Sequence, residues 1–229
     1  MNAFEVCGTI LAIAFGLLCA YQTLYIVVSL ISGKRRKKTH DRTNRRFAVL
    51  IAARNEEKVI GQLIDSVKAQ DYPYGLIDVY VAADNCTDRT AAIARAHGAV
   101  VYERFNQLNV GKGYALDFLL QNIGADYPEG FDGYFVFDAD NLLAPNYIAE
   151  MNKALDSGIQ VCTSFRNSKN YATNWVSAGA SLSFVRECQF FHKPKAVLGL
   201  STHVSGTGFY FSKEVMSFKT GWPYTMITE

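Results

Sequence analysis

The stretch Tyr134-Phe135-Val136-Phe137-Asp138-Ala139-Asp140 decides the fold, because an apolar run ends there in two carboxylates. A continuous apolar run of this length is typical of a strand buried on both faces of a parallel sheet. Such sheets bind ligands beyond the carboxyl ends of their strands, where Asp138 and Asp140 would lie. In an extended segment, residues two apart point the same way. Two oxygen ligands suit a divalent cation that holds a diphosphate, although Asp-x-Asp is also common in solvated turns.

Two further loops carry polar side chains at the ends of predicted strands. The first strand, 47–53, leads into Arg54-Asn55-Glu56, and the second, 77–83, leads into Asp84-Asn85-Cys86-Thr87-Asp88. The carboxyl ends of parallel strands meet at one edge of a sheet, so we expect both loops beside the aspartate pair. Each loop alone can also be interpreted as a helix cap or a turn. Their common edge favours a binding site.

Strand and helix patterns alternate along the chain. This alternation predicts an α/β fold with a mostly parallel sheet and flanking helices. The predicted strands are 47–53, 77–83, 100–102, 134–137 and 160–165. The predicted helices are 56–69 (capped by Asn55), 88–97 (closed by Gly98), 114–123, one after Pro145, and 174–192.

Charge is distributed unevenly along the 229 residues. The formal net charge is only +2, but residues 34–46 include eight basic side chains and one acidic side chain. We interpret this run as a topology signal that also contacts anionic lipid headgroups. Nucleic-acid binding is the alternative. The acidic remainder offers no continuation of a basic patch, so we predict no nucleic-acid partner.

The N-terminal segment predicts a membrane anchor. Residues 6–32 contain no charged side chain and could extend roughly 40 Å as a helix, more than the ~30 Å hydrocarbon core. A signal peptide fits poorly, because nothing basic precedes this long apolar stretch. We therefore predict a transmembrane anchor at 1–33, a basic juxtamembrane linker at 34–46 and a folded domain at 47–229. The positive-inside rule places the N-terminus outside the cell membrane and the folded domain in the cytoplasm.

Small residues, cysteines and histidines give weaker signals. Ala12, Gly16 and Ala20 form a row that either admits a partner transmembrane helix or arises by chance. The five cysteines include no Cys-x-x-Cys pair, which indicates reduced thiols. The four histidines show no zinc-ligand spacing, and we interpret them as ordinary surface or core residues.

An ordered set of motifs resembles the family 2 glycosyltransferases, which have the nucleotide-sugar-binding GT-A fold. The motifs are Ala52-Ala53-Arg54-Asn55-Glu56, Asp84-Asn85-Cys86-Thr87-Asp88, Gly111-Lys112-Gly113, Asp138-Ala139-Asp140, Gly206-Thr207-Gly208 and Thr228-Glu229. They occur in the family's order, and the resemblance covers Phe47 to Glu229. Gly111-Lys112-Gly113 is not a P-loop, because it lacks the earlier glycine and the following Ser or Thr.

The resemblance implies a role for each motif. The nucleotide-sugar-binding residues would be Ala52, Ala53, Arg54, Glu56, Asp84, Lys112 and Asp138, with Lys112 near the phosphates. Asp138 and Asp140 would hold Mg²⁺ or Mn²⁺. Gly206, Thr207 and Gly208 would line the donor sugar and the acceptor. The catalytic residues would be Asp138, Asp140 and Glu229.

The implied reaction is an inverting transfer of a sugar from a UDP-sugar to a saccharide or lipid-linked acceptor at the cytoplasmic membrane face, giving a β-linked product. In the family, an Asp that follows Thr-Glu usually acts as the general base, and this chain ends at Glu229. It also lacks the Gln-x-x-Arg-Trp motif of processive synthases. We therefore expect an N-terminal fragment or a truncated product, whose catalytic domain is incomplete. A protein that only binds nucleotide-sugar is the alternative.

Overall fold

The computed structural model describes residues 2–33 and 43–217. These residues belong to two compact units. The anchor unit takes residues 2–33 together with Ser164–His203, and the sheet unit takes residues 43–163 and 204–217. The predicted division into anchor, linker and catalytic domain stays a prediction.

The sheet unit contains six strands and five helices among its described residues. Its strands are β1 (Phe47–Ala53), β2 (Ile77–Asp84), β3 (Val100–Arg104), β4 (Gly133–Asp138), β5 (Val161–Thr163) and β6 (Phe209–Ser212). Its helices are α2 (Ile60–Lys68), α3 (Thr90–Ala96), α4 (Lys112–Asp126), α5 (Tyr147–Asp156) and α8 (Lys213–Ser217). The strand order is β3-β2-β1-β4-β6-β5. β1 to β4 pair in parallel, and β6 is antiparallel to both neighbours, which confirms the mostly parallel α/β sheet.

Alternating apolar side chains of β1 build a core on each face of the sheet. Phe47, Val49 and Ile51 pack with α2, α3 and α5, whereas Ala48 and Leu50 pack with α4. All five side chains are buried. A strand covered on both faces needs a continuous apolar run, which is why the segment 47–53 carries no polar residue.

The register of the sheet aligns the strand ends that carry the polar loops. Ala52 of β1 pairs with Ala82 of β2 on one side and with Asp138 of β4 on the other. Asp84, the last residue of β2, pairs with Arg104, the last residue of β3. The loops after β1, β2 and β4 therefore leave from one edge, as the sequence predicts.

The helix after β1 begins later than predicted. α2 begins at Ile60, and Asn55 does not cap it. Instead, Asn55 has a left-handed backbone (φ 58°), and its side-chain oxygen accepts a hydrogen bond from the Thr87 N–H (2.8 Å). Left-handed geometry suits asparagine better than most residues, but it interrupts a helix. α3 likewise begins at Thr90 and not at Asp88, while Gly98 follows it at φ 78° as predicted.

Other elements also differ from prediction: α4 and β3 are longer than the predicted 114–123 and 100–102. β5 is shorter than the predicted strand at 160–165. β6 was not predicted, because its sequence Phe-Tyr-Phe-Ser is short and directly follows a glycine motif. All four of its residues are buried, so its pattern shows neither the alternation of a half-buried strand nor the length of a helix.

The anchor unit is helical. Its elements are α1 (Ala3–Ile31), α6 (Trp175–Glu187), a π-turn (Cys188–His192) and α7 (Lys193–Val197). The predicted helix at 174–192 is thus capped by Asn174 and changes to a π-turn after Glu187. Asn2 and Glu5 form a reciprocal capping box that begins α1.

α1 is long and apolar enough to cross a membrane. An 18-residue window of it has a mean hydropathy of 2.1, and 29 residues of helix extend roughly 43 Å. Ala12, Gly16 and Ala20 are exposed on it, and a helical partner there stays a prediction.

Within the basic run at 34–46, residues 34–42 lie outside the described part of the chain. Arg45 pairs with Asp156 (3.1 Å), and Arg46 pairs with Asp78 (2.8 Å).

Candidate functional site

A cavity of about 260 Å³ opens at the carboxyl edge of the sheet. Its lining residues are Ala52, Ala53, Arg54, Glu56, Asp84, Val110, Gly111, Lys112 and Ala115. Six of the seven residues that the sequence predicts to bind nucleotide-sugar are among them, and the seventh, Asp138, pairs with Lys112. The volume is a little below the ~300–1,000 Å³ of small-molecule pockets, and three chain segments contribute to it.

Lys112 joins the cavity to the end of β4. Its ammonium donates hydrogen bonds to the Asp138 carboxylate and to the Gly206 carbonyl. The Lys112 side chain is only 15% exposed, whereas that of Asp138 is 43% exposed. The pair therefore presents a carboxylate to solvent beside a largely buried positive charge.

A turn after β4 sets the position of Asp140. The strand ends at Asp138, and the Asn141 N–H donates to the Asp138 carbonyl (3.0 Å). The two aspartates are thus not on one extended segment, and the prediction that strand geometry aligns them is wrong. Asp140 is exposed at the turn, and its carboxylate accepts a hydrogen bond from the Asn141 side chain (3.1 Å).

Hydrogen bonds of Thr207 connect this turn to Gly206-Thr207-Gly208, the glycine motif before β6. Its hydroxyl accepts a hydrogen bond from the Asp138 N–H (2.8 Å) and donates one to the Asn141 side chain. The Tyr147 hydroxyl donates to the Gly208 carbonyl (3.1 Å). The motif Gly206-Thr207-Gly208 therefore stabilises the turn that contains Asp138 and Asp140. The sequence alone did not reveal this stabilising contact.

Carboxylates concentrate at this edge of the sheet. Burial raises the pKa of the Glu56 carboxyl, and the charge of Asp140 raises it further. Asp88 and Asp138 act in the same direction. Glu56, Asp138 and Asp140 therefore supply carboxylate oxygens at this edge of the sheet.

This donor set fits a hard divalent cation. Mg²⁺ and Mn²⁺ prefer carboxylate oxygens, water and phosphate oxygens over nitrogen or sulfur. Asp138 and Asp140 come from a single strand end and offer such oxygens to solvent, and Glu56 adds a carboxylate from the neighbouring loop. A bound cation would relieve the repulsion among these carboxylates, which adds to the effect of burial on the pKa of Glu56.

Arg104 is a site residue that the sequence reasoning missed. Its guanidinium donates to the Asp84 carboxylate (2.6 Å) and to the Asn109 carbonyl (2.7 Å). The Asp84 and Arg104 side chains are 6% and 9% exposed, so this is a buried ion pair. The strand register was the signal that could have found it, since the two residues end adjacent parallel strands.

Hydrogen bonds also tie the loops after β1 and β2 together. The Asp88 carboxylate accepts from the Thr90 N–H (2.9 Å) and the Glu57 N–H (3.2 Å). The Thr90 hydroxyl accepts from the Glu56 N–H (2.8 Å). Asn85, left-handed at φ 51°, bonds through its amide to the backbone of Asn106. Asp88 and Asn85 thus act within the loops and hold the cavity walls.

The N-terminus of α4 forms one wall of the cavity. Gly111, its N-cap, has φ 131° and ψ 159°, a conformation that is open essentially only to glycine. The first N–H groups of a 15-residue helix lie there with the helix dipole behind them. Helix N-termini of this kind bind phosphate groups.

Glu229, the predicted acceptor-side carboxylate, lies outside the described residues.

Comparison with known proteins identifies the family. The model of the family described as Glycosyl transferase family 2 matches residues 48–218. The chain belongs to glycosyl transferase family 2. The match covers all six strands except Phe47, the first residue of β1, and it includes all the cavity residues.

Similar proteins include curated glycosyltransferases from bacteria. A beta-monoglucosyldiacylglycerol synthase from Nostoc sp. is 28% identical to this family 2 chain over 188 residues, 80% of the chain and 39% of that protein. A 4,4'-diaponeurosporenoate glycosyltransferase from Staphylococcus aureus is 40% identical over 77 residues, 34% of the chain and 20% of that protein. The chain thus spans about two fifths or less of the length of these relatives.

A solved structure shares the fold. A mannosyltransferase from Pyrobaculum calidifontis, in complex with GDP-Man and Mn²⁺, matches with a TM-score of 0.60 at 19% identity, over 93% of this family 2 chain and 59% of that chain. This likeness confirms the GT-A fold that the motif order predicts.

Proposed function

We propose that this protein transfers a sugar from a UDP-sugar donor to a lipid-linked or saccharide acceptor at the cytoplasmic face of the cell membrane. The observation that carries the proposal is the cavity at the carboxyl edge of the sheet, which Lys112 connects to Asp138. One side of this site offers positive charge to phosphates, and the other offers carboxylates to a cation.

The cavity walls suit the nucleotide half of the donor. The loop from Ala52 to Glu56 and the Asp84 carboxylate would contact the uracil and the ribose. Arg104 holds the Asp84 carboxylate in place, because the buried guanidinium donates to it directly. The N-terminus of α4 and the Lys112 ammonium would receive the diphosphate.

Asp138 and Asp140 would hold Mg²⁺ or Mn²⁺ beside that diphosphate. A bound divalent cation supplies charge stabilisation to the departing diphosphate. The Pyrobaculum calidifontis enzyme, which has this fold, contains Mn²⁺ together with its nucleotide-sugar. Lys112 would add a second positive charge, and its hydrogen bonds to Asp138 and to the Gly206 carbonyl hold its ammonium at this edge of the sheet.

The acceptor is proposed to be a hydroxyl on a lipid or on a lipid-linked sugar. The Nostoc relative is named for a glucosyldiacylglycerol product, and α1 is long enough to hold the chain at a bilayer. A carboxylate on the acceptor side, for which Glu229 is our candidate, would take the hydroxyl proton during attack on the anomeric carbon. A single displacement inverts that carbon, so an α-linked donor gives a β-linked glycan or glycolipid.

A transfer assay on the full chain in membrane vesicles tests this function. Radiolabelled UDP-glucose, UDP-GlcNAc and UDP-glucuronate are supplied with Mn²⁺, and the lipid extract is counted. We expect label in the lipid or polymer fraction for one donor, and at least a tenfold loss in Lys112→Met, since a charged hydrogen bond contributes about 1.5–3 kcal/mol. Lys153→Met, which removes the same charge on α5, serves as the control.

Calorimetry separates donor binding from transfer. UDP should bind more tightly with Mn²⁺ than without it, and Asp140→Ala should abolish this difference, whereas the exposed control Asp71→Ala should keep it. Unchanged UDP affinity of Asp140→Ala in Mn²⁺ would refute the metal assignment. UDP binding without transfer of any of the three sugars would favour the binding-only alternative.

A further inference from the structure

Two histidines and a glutamate of the anchor unit converge at the end of α6. Glu187 is the last residue of α6, His192 ends the π-turn, and His203 follows α7. Glu187 Oε1 lies 3.2 Å from His192 Nε2 and 2.8 Å from His203 Nε2. The three potential ligand atoms all lie within 4.8 Å of one another. Sequence spacing does not indicate this cluster, because the fold, and not a local motif, brings His203 to the other two residues.

The π-turn places Glu187 and His192 on the same side of the helical segment. At 100° per residue, positions five apart on an α-helix point about 140° apart. In the π-turn, the Lys193 N–H bonds to the Cys188 carbonyl, five residues back and not four, so each turn takes more residues and positions five apart lie closer to one side. π-turns are rare, and they occur frequently at functional sites.

Neighbouring side chains orient the three groups. The Thr202 hydroxyl contacts His192 Nδ1 and leaves the Nε2 of that ring directed at Glu187. Arg166 Nη2 contacts Glu187 Oε2 (3.3 Å), which leaves Oε1 towards the two rings. Outer contacts of this kind are typical of metal-ligating histidines and carboxylates.

We propose that Glu187, His192 and His203 form a binding site for a transition-metal ion such as Zn²⁺. Two imidazoles and one carboxylate are a common three-ligand set for zinc, with water in the fourth position. Arg166 offsets the charge of the carboxylate, so the site relies on imidazole nitrogen and disfavours Mg²⁺ and Ca²⁺. The His192 side chain is 12% exposed and that of His203 is 55% exposed, so an ion can enter from the His203 side.

This site is separate from the proposed transferase site in its residues and in its preferred metal. Its nitrogen ligands favour Zn²⁺ or Co²⁺, whereas the oxygen donors of Asp138 and Asp140 favour Mg²⁺ or Mn²⁺. The inference therefore does not rest on the proposed function, and its failure would leave that function untouched.

Cobalt titration of the detergent-solubilised full chain tests the site. Asp140→Asn serves as the background, and nucleotide is omitted, so that the proposed transferase site contributes little. We expect one equivalent of Co²⁺ to produce the visible bands of four-coordinate cobalt, which Zn²⁺ then displaces. His192→Gln and His203→Gln should each lower the affinity at least tenfold, and Thr202→Val should lower it about tenfold as an outer contact.

His97→Gln is the matched control, because His97 also bonds to a carboxylate, that of Asp65 (2.7 Å), but belongs to the sheet unit. Its cobalt affinity should equal that of the background protein. The absence of four-coordinate bands, or equal affinity of the background, His192→Gln and His203→Gln, would show a hydrogen-bonded cluster only and overturn the proposal. If circular dichroism shows that His192→Gln has lost helix content, the cobalt affinity of the exposed variant His203→Gln alone tests the proposal.

Discussion

At the scale of single residues, the cavity wall contains a buried ion pair. Asp84 and Arg104 are both nearly inaccessible to water, and each satisfies the other. Removing one partner of such a pair leaves the other charge buried without compensation, and this lowers the free energy of unfolding strongly. Replacing both partners by apolar residues is often close to neutral by comparison.

Arg104→Met should therefore lower the free energy of unfolding by about 3–5 kcal/mol, as measured by denaturant titration. Arg95→Met is the matched control. Arg95 pairs with Glu103 on the surface, where the two side chains are 49% and 41% exposed, so its loss should cost no more than about 1 kcal/mol. Equal losses in the two variants would contradict the assignment of a buried ion pair.

Glu56 makes stability depend on pH. Burial and the neighbouring aspartates raise the pKa of Glu56 above its ordinary value of 4.5, so the fold favours the protonated form. Its contribution to stability is full below that ordinary value and is lost as the pH rises through the folded-state pKa. In Glu56→Gln this loss should be absent.

The check is the free energy of unfolding of both proteins from pH 4 to pH 8. Wild type should fall relative to Glu56→Gln as the pH rises above 4.5, and the two curves should run parallel at higher pH. Glu129→Gln removes a largely exposed carboxyl and should keep the wild-type slope. A constant difference between wild type and Glu56→Gln over the whole range would contradict the predicted role.

Sequence reasoning at this scale located most of the cavity residues but not their partners. Ala52, Glu56 and Asp84 follow directly from their positions at strand ends. Arg104 did not, and the contact of Thr207 with the Asp138 turn was not foreseen either, because both act on residues distant in sequence. Asn55 was assigned to a helix cap because capping preference depends on residue type, whereas its left-handed backbone depends on the loop that it contacts.

At the scale of elements, α4 depends on one glycine where it meets the cavity. Gly111 adopts a backbone conformation that other residues avoid, although a Cβ there would meet no atom within 4 Å. The requirement is therefore conformational and not steric. It sets the direction in which the helix N-terminus faces the proposed diphosphate site.

Gly111→Ala should lower the free energy of unfolding by about 1–3 kcal/mol and weaken UDP binding, as measured by denaturant titration and calorimetry. Gly124→Ala is the matched control in the same helix. Gly124 is exposed, and a Cβ there also meets no atom within 4 Å, so alanine should stabilise the helix by about 0.5–1 kcal/mol. Destabilisation by Gly124→Ala, or none by Gly111→Ala, would contradict this account.

Elements with a strong periodic signal were predicted well, and those defined by their partners were not. β1, β2 and β4 are long apolar runs, and the edge that their loops share follows from α/β rules. β6 forms by pairing with β4 on one side and β5 on the other, and its four residues alone do not indicate a strand. The change from α6 to a π-turn likewise depends on backbone hydrogen bonding and not on composition.

At the scale of the whole molecule, we expect α1 to fix the orientation of the chain in the cell membrane. The basic residues follow the apolar segment, which predicts an external N-terminus and a cytoplasmic sheet unit. A cysteine-free protein carrying Asn2→Cys should react with an impermeant maleimide in intact cells. Tyr74→Cys, at a fully exposed position of the sheet unit, should react only after permeabilisation. The reverse labelling pattern would contradict the predicted topology.

The position of β6 in the sheet has a consequence for biosynthesis. β4 is complete at Asp138, but the strand that pairs with its second edge lies at Phe209–Ser212. Residues emerge from the ribosome at about 5–20 per second, so the nascent chain presents that open edge for several seconds. Unpaired strand edges recruit other strands. We therefore expect chains that end between β4 and β6 to aggregate more readily than chains that include Phe209–Ser212.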